Sequence, residues 1–197
     1  MPSKRRERDN YPTPDWAIDV ILPHLPTSGA VTEPSCGDGA ILRRLLARHP
    51  SPRSITAVEI DRGRARRASS SFVEAGFNQG VVVRDDFLRW ASRAAVPRID
   101  LIVGNPPFSL ATEFVEACLA LAKPQGATVA LLLRLAFLES ADRAAFHRRE
   151  PADLYPLAKR PSFTSNGRTD SAAYAWWVWG PRRGGRWFPP LLPGGSS

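Results

Sequence analysis

An α/β fold is what this sequence predicts: a single doubly wound, mostly parallel seven-stranded sheet flanked by helices. Three observations carry the prediction. Short apolar runs alternate with helical patterns along most of the chain. Ile99, Leu101, Ile102 and Val103 form a nearly continuous apolar run, which suits a parallel strand covered on both faces. The 197 residues, 43% hydrophobic and 23% charged, have the makeup of an ordinary globular protein with one core. That makeup excludes a largely disordered chain, a collagen-like repeat and a coiled coil.

Residues 1–9 read as a basic flexible arm with no apolar stretch behind the charges, so no secretory signal is expected. A helix over Trp16–Leu25 precedes the first strand, Ala30–Thr32. Helix Ala40–Arg48 follows, with Ile41, Leu42, Leu45 and Leu46 at helical spacing. Strand Ile55–Glu59, helix Arg62–Ala75, strand Val81–Arg84 and helix Phe87–Arg93 continue the alternation. Strand Ile99–Gly104, helix Leu110–Ala122, strand Thr128–Leu133 and helix Ser140–Arg149 come next. Two weaker strands, Leu154–Ala158 and Ala173–Trp179, complete the sheet, and Trp176, Trp177 and Trp179 read as core. The Gly- and Pro-rich residues 181–197 read as a disordered tail, which leaves 10–180 as the folded domain.

Lys and Arg total 27 against 19 Asp and Glu, a net charge of +8, and only Lys4, Lys123 and Lys159 are lysines. Such an excess suits a polyanionic partner, although a generally basic protein has the same balance. The longest apolar stretch, Ala127–Leu138, is interrupted by Arg134 and is too short to span a bilayer. Cys36 and Cys118 read as reduced thiols, and His24, His49 and His147 have no ligand spacing. The expectation is a cytoplasmic protein with no metal and no membrane contact.

Ligands of such sheets sit at the carboxyl ends of the strands. The first strand runs into Glu33-Pro34-Ser35-Cys36-Gly37-Asp38-Gly39-Ala40, where Gly37 and Gly39 permit a sharp turn close to a ligand. No third glycine completes a dinucleotide fingerprint, and Glu33 with Asp38 would repel a pyrophosphate. A cationic or hydroxyl-rich ligand fits better. Glu59, ending the second strand, is placed to accept hydrogen bonds from ribose hydroxyls, while Asp61 fits a helix cap. After the third strand, Asp85-Asp86-Phe87 either receives an adenine amino group beside an aromatic ring or merely caps a helix. The fourth strand delivers Asn105-Pro106-Pro107-Phe108, and two prolines force the chain out of the sheet in a stiff, extended form.

This set resembles the S-adenosylmethionine-dependent amino-methyltransferases, in which an (Asn/Asp/Ser)-Pro-Pro-(Tyr/Phe) tetrad follows the fourth strand. Asp9-Asn10-Tyr11-Pro12-Thr13-Pro14 looks like the family's Pro-rich cofactor segment. Arg160-Pro161-Ser162-Phe163-Thr164, Thr169-Asp170 and Tyr174–Trp179 are similar to the end of small phage-type DNA N6-adenine methyltransferases. The resemblance covers about residues 9–180 and implies the class I, Rossmann-like methyltransferase fold with S-adenosylmethionine as cofactor. It implies catalytic roles for Asn105, Pro106, Pro107 and Phe108, with Phe108 stacking on an extruded adenine. Tyr11, Thr13, Pro14, Glu33, Ser35, Gly37, Asp38 and Gly39 would line the methionine end of the cofactor. Glu59 would hold the ribose, Asp86 or Asp85 with Phe87 the adenine ring, and Ile60 and Asn105 would complete the set.

Arg62–Arg67 read as solvated helix surface, whereas Lys159, Arg160, Phe163 and Arg168 are placed to bind the nucleic-acid substrate. DNA is the expected partner of a monomer or weak homodimer, with RNA as the alternative. No segment is long enough for a separate target-recognition domain, so a short recognition sequence or relaxed specificity is expected. Protein glutamine methylation leaves the positive charge without a role. A non-catalytic nucleic-acid-binding module leaves Gly37-Asp38-Gly39, Glu59 and Asn105 without one.

Overall fold

The computed structural model describes residues 12–48, 51–93, 95–163, 170–181 and 183–193, with the backbone alone at 51 and 142. The strands are β1 (Ser28–Glu33), β2 (Ser51–Glu59), β3 (Gly80–Arg84), β4 (Leu101–Gly104), β5 (Thr128–Arg134), β6 (Asp153–Pro156) and β7 (Tyr174–Trp179). They form one sheet in the order β3-β2-β1-β4-β5-β7-β6. The first five run parallel, and β7 is antiparallel to both β5 and β6. The helices among the described residues are α1 (Asp15–Asp19), α2 (Ala40–Arg48), α3 (Arg62–Glu74), α4 (Phe87–Ala91), α5 (Ala111–Ala122) and α6 (Ala141–Arg149).

Apolar runs without alternation become central strands because helices cover both faces of the sheet. Leu101 and Val103 of β4 join Val31, Ile55, Leu132 and Trp176 on one face. Ile102 joins Val129, Leu131, Phe114, Val115 and Trp177 on the other. All three β4 side chains are fully buried, each contributing about 1.5–3 kcal/mol. Trp176 also donates its indole N–H to the Ala17 carbonyl at 2.7 Å, which fastens α1 across the sheet. The strand order reverses between β1 and β4, and a crevice opens outside the carboxyl ends there.

Several boundaries differ from the sequence reading, and β2 begins at Ser51 rather than Ile55. The helix expected over Trp16–Leu25 breaks into α1 and a 3-10 turn at Leu22–His24, because Pro23 has no N–H to continue an α-helix. Pro156 ends β6 two residues early by the same deficit. In β4, Asp100 precedes the strand and spends its carboxylate on the Ala30 N–H at 2.8 Å. β5 runs one residue further than expected and carries Arg134 at its end.

The larger correction concerns residues 183–193, assigned above to a disordered tail. They lie along the outer edge of β6, whose backbone groups would otherwise be unpaired. Leu154 and Phe188 N–H groups donate to Arg186 and Leu154 carbonyls at 2.8 and 2.9 Å, and Leu191 donates to Pro156 at 2.7 Å. Phe188 stacks on Tyr155 with centroids 4.2 Å apart. Asp153, fully buried, accepts from the Gly184 N–H at 2.9 Å and Arg186 Nε at 3.1 Å and pairs with Arg183. A composition count passes over this latch because it rests on one carboxylate and two arginines. The basic arm and residues 194–197 lie outside the described residues.

Burial works against the Asp153 charge, but hydrogen bonds from Arg186 and Gly184 outweigh it and hold the carboxyl below its usual range. Its stabilisation is complete above the ordinary carboxyl pKa of about 3.9 and is lost as pH falls through the lowered value. Asp153→Ala should cost about 3 kcal/mol in urea denaturation, since it removes the buried carboxylate that Arg186 and the Gly184 N–H share, while Arg186 stays half in solvent and Arg183 keeps Tyr155 Oη and the His24 carbonyl. Hydrogen exchange at the Phe188 and Leu191 amides should accelerate in that variant.

Candidate active site

The crevice has two lobes that meet at Ser35, Glu59 and Pro107. Thr13, Glu33, Gly37, Asp38 and Asn105 line the first, with Pro12 and Arg64 at its edge. Ile60, Asp85, Asp86, Phe87 and Phe114 line the second.

The glycine turn is held from below and from the side. Gly37 and Gly39 take left-handed φ values of 54° and 84°, and a Cβ on Gly39 would meet Ala68 Cα at 3.1 Å. Glu59, 2% exposed, accepts from the Gly37 N–H at 3.0 Å and the Asp61 N–H at 2.8 Å. Cys36 N–H donates to the Val58 carbonyl at 3.0 Å, a second tie between the turn and β2. On the β4 side, a Cβ at Gly104 would come within 2.9 Å of Pro34, so glycine is what lets the two strand ends approach. Ser35 Oγ then donates to the Asn105 carbonyl at 3.2 Å.

Glu33 is 1% exposed, and its Oε2 has no hydrogen-bond partner among the described residues. Burial first, and the neighbouring Glu59 second, push its pKa from 4.5 up to about 8. At neutral pH it is therefore mostly a carboxylic acid. Burial also raises the Cys36 thiol, with Glu33 and Glu59 adding to the effect, so this cysteine is no ready thiolate.

In the second lobe the paired aspartates divide their work. Asp86 caps α4, accepting from the Leu88 N–H at 2.8 Å. Asp85, 6% exposed, accepts from the Asp86 N–H and from Arg89 Nε, both at 2.8 Å, and pairs with Arg93. The hydrogen bond from Arg89 chiefly holds its carboxyl below the usual range. Asp61 likewise caps α3, as its position before Arg62 implies.

Beyond Pro107 the chain enters a 3-10 turn, closed by the Leu110 N–H on the Pro107 carbonyl at 3.0 Å. This turn sets the half-buried Phe108 ring among Phe163 (5.9 Å), Tyr174 (5.4 Å) and the Arg134 guanidinium (4.8 Å from the centroid). Arg134 Nε donates to Tyr174 Oη at 3.1 Å, and its Nη2 donates to Asp170 at 3.2 Å. Tyr174 Oη donates to the same carboxylate at 2.6 Å. Burial, reinforced by Asp170, raises the Tyr174 pKa, so its hydroxyl stays a donor.

The site residues read from the sequence thus converge, with exceptions. Pro14 opens α1 rather than lining the crevice, and Gly39 shapes the turn from beneath it. Phe163 is 5% exposed and buttresses Phe108 instead of offering its ring to solvent. Lys159 and Arg160 are exposed and line neither lobe. Tyr11 and Arg168 lie outside the described residues. Arg134 was missed. Its only signal is a cation closing the otherwise apolar run Thr128–Leu133. Among the described residues there is no group of three His, Cys, Asp or Glu placed to hold a metal, and no helix is long and apolar enough to cross a membrane.

No family model matches the chain. Over 79 residues it is 35% identical to the modification methylase CviBIII of Paramecium bursaria Chlorella virus NC1A, covering 40% of this chain and 19% of that protein. Over 94 residues it is 35% identical to the type II methyltransferase M.TthHB8I of Thermus thermophilus, covering 48% and 19%. Over 73 residues it is 37% identical to the tRNA1(Val) (adenine(37)-N6)-methyltransferase of Salmonella typhimurium, covering 36% and 29%. The chain therefore spans under a third of the length of these curated relatives. Among solved structures, lmo1582 of Listeria monocytogenes, described as a class I S-adenosylmethionine-dependent methyltransferase, superposes with a TM-score of 0.71 at 13% identity, over 96% of this chain and 68% of that one. The 23S rRNA methyltransferase ErmE gives 0.65 at 20% identity, over 89% and 72%. TrmK of M. capricolum, in complex with S-adenosylhomocysteine, gives 0.59 at 10% identity, over 85% and 68%. The fold is the class I methyltransferase fold.

Native Glu33 keeps its proton up to about pH 8, whereas the unfolded chain releases it near 4.5. Native stability therefore falls as pH rises between those values. Glu33→Gln should remove that slope and stand about 3 kcal/mol above the wild type at pH 7 in urea melts, with the two equal at pH 4.

Proposed function

We propose that this chain transfers the methyl group of S-adenosylmethionine to the N6 amino group of adenine in DNA, acting on a base turned out of its stack. The observation that carries the reading is the meeting of Asn105-Pro106-Pro107-Phe108 with an acid-lined crevice at the sheet's switch point. Sequence similarity to proteins named a modification methylase, a type II methyltransferase and an adenine-N6 methyltransferase supports it.

The crevice residues fit the cofactor. Asp38, Glu59 and Asp86 oppose a phosphate and suit a cation bearing hydroxyls, and Glu33 adds a buried Oε2 with no hydrogen-bond partner among the described residues. Thr13, Glu33 and the Gly37–Gly39 turn would hold the methionine end, Glu59 the ribose, and Ile60, Asp86 and Phe87 the adenine. When bound, S-adenosylmethionine supplies an electrophilic methyl group on a sulfonium. The chain supplies positioning and electrostatics. The Asn105 side-chain oxygen and the Pro106 carbonyl would each accept one hydrogen of the substrate's amino group, freeing a lone pair otherwise delocalised into the ring. Pro106 and Pro107 keep both acceptors rigid, and Phe108 supports the base from one face. A nitrogen that has gained a fourth bond is acidic enough to shed its proton to water, so no strong base is required of the chain.

RNA is the second reading, favoured by the 37% identity to a tRNA adenine methyltransferase over 73 residues. One assay separates the two: labelled S-adenosylmethionine with duplex DNA, single-stranded DNA or RNA, followed by digestion and mass spectrometry. The expected product is N6-methyladenine from DNA. Asn105→Ala should lower its rate about 100- to 1,000-fold while cofactor affinity changes less than about threefold. Label confined to RNA would overturn the substrate, and no transfer to any nucleic acid would overturn the enzyme.

Glu33 adds a pH signature. A cation bound beside it must drive off its proton, so cofactor affinity should rise about tenfold per pH unit below pH 8. Calorimetry in buffers of differing ionisation enthalpy should detect the released proton, and Glu33→Gln should abolish both effects.

A further inference from the structure

A second cavity, of about 300 Å³, lies beyond Phe108 between the amino end of α5 and the carboxyl end of β5. Nothing in the proposed methyl transfer uses it. Two guanidiniums line it, each lying over an aromatic ring: Arg134 at 4.8 Å from the centroid of the half-buried Phe108, and Arg143 at 5.3 Å from that of Phe137, which is buried. Both cations are tethered. Arg134 is held by Tyr174 and Asp170, and Arg143 donates through Nη1 to the Ala136 carbonyl at 3.1 Å and through Nε to Ser140 Oγ at 3.3 Å. Thr112 and Glu113, exposed on the first turn of α5, complete the lining.

The charges decide what can enter. Arg134 is offset by Asp170, and Arg143 shares its cavity with Glu113, so the lining is close to neutral. A phosphate gains little there, and Glu113 repels it. Flat guanidinium planes, their donors and a carboxylate acceptor match instead the faces and edge of a heterocyclic base.

We propose that this cavity receives the base of a nucleotide next to the one methylated, and reads its edge through Glu113 and Arg143. Glu113 accepts from an exocyclic amino group, while Arg143 donates to the ring nitrogen beside it. The pair favours adenine or cytosine over thymine, which presents a carbonyl where the amino group should be. The proposal rests on the methyltransferase reading, because Phe108 belongs to both sites. It gives the chain a source of sequence context that needs no separate recognition domain.

Fluorescein-labelled single-stranded DNA oligonucleotides, each neighbour of one central adenine varied through the four bases, test it by anisotropy and by methyl-transfer rate. At one neighbouring position thymine should weaken binding and slow transfer about tenfold. Glu113→Gln and Arg143→Ala should each shrink that ratio below about twofold, with S-adenosylmethionine affinity, measured by calorimetry, unchanged. No preference in the wild type, or a preference that both variants keep, overturns the cavity's role. Transfer without preference leaves the methyltransferase reading standing and removes this one. A binding preference abolished in both variants, with no transfer to any oligonucleotide, does the reverse.

Discussion

The Glu59 carboxylate joins three pieces of chain: it ends β2, accepts the Gly37 N–H of the turn after β1, and accepts the Asp61 N–H that starts α3. Each bond satisfies a backbone donor that has no partner in the strand or helix it adjoins. Together with the Cys36 N–H on the Val58 carbonyl, this clamp sets the height of the glycine turn above the sheet. The same carboxylate faces the cavity, so one side chain sets the loop and presents charge to a ligand. Clamps of this kind are costly to alter, since a change made to tune binding also loosens the backbone.

Buried beside it, Glu33 bears the electrostatic consequence. Two carboxylates in one dry pocket cannot both ionise cheaply, and Glu33, buried with its Oε2 unpartnered among the described residues, is pushed toward its neutral form. Glu33 is left holding a proton, in a crevice whose polar lining favours a cation.

On the far side of Asn105 the logic changes from acids to tethered arginines. Many of the described cations lie on helix surfaces, where they contribute little beyond solubility and a diffuse attraction to polyanions. Arg134 is different, because Asp170 and Tyr174 fix it over the Phe108 ring and remove its rotamer freedom in advance. Phe163, buried behind that ring, holds Phe108 from the other direction. The tetrad's last residue is therefore set in a rigid frame assembled from β5, β7 and the segment before it.

Local patterns decided much of this protein. Unalternating apolar runs marked the central strands, Pro106-Pro107 marked where β4 must end, and Asp61 announced its own helix cap. All of these depend on neighbours within a few residues, which is why they are legible along the chain. What required the folded molecule were pairings between distant segments. Arg134 met Asp170 and Tyr174 across the strand pair of β5 and β7. Phe163 turned inward against a ring 55 positions away in sequence. Residues 183–193 found a buried carboxylate and an open strand edge, neither of which their own composition reveals. Periodicity and turn chemistry determined the elements and their order. Which polar groups were left over to meet one another was decided by burial, which acts only when the chain has folded.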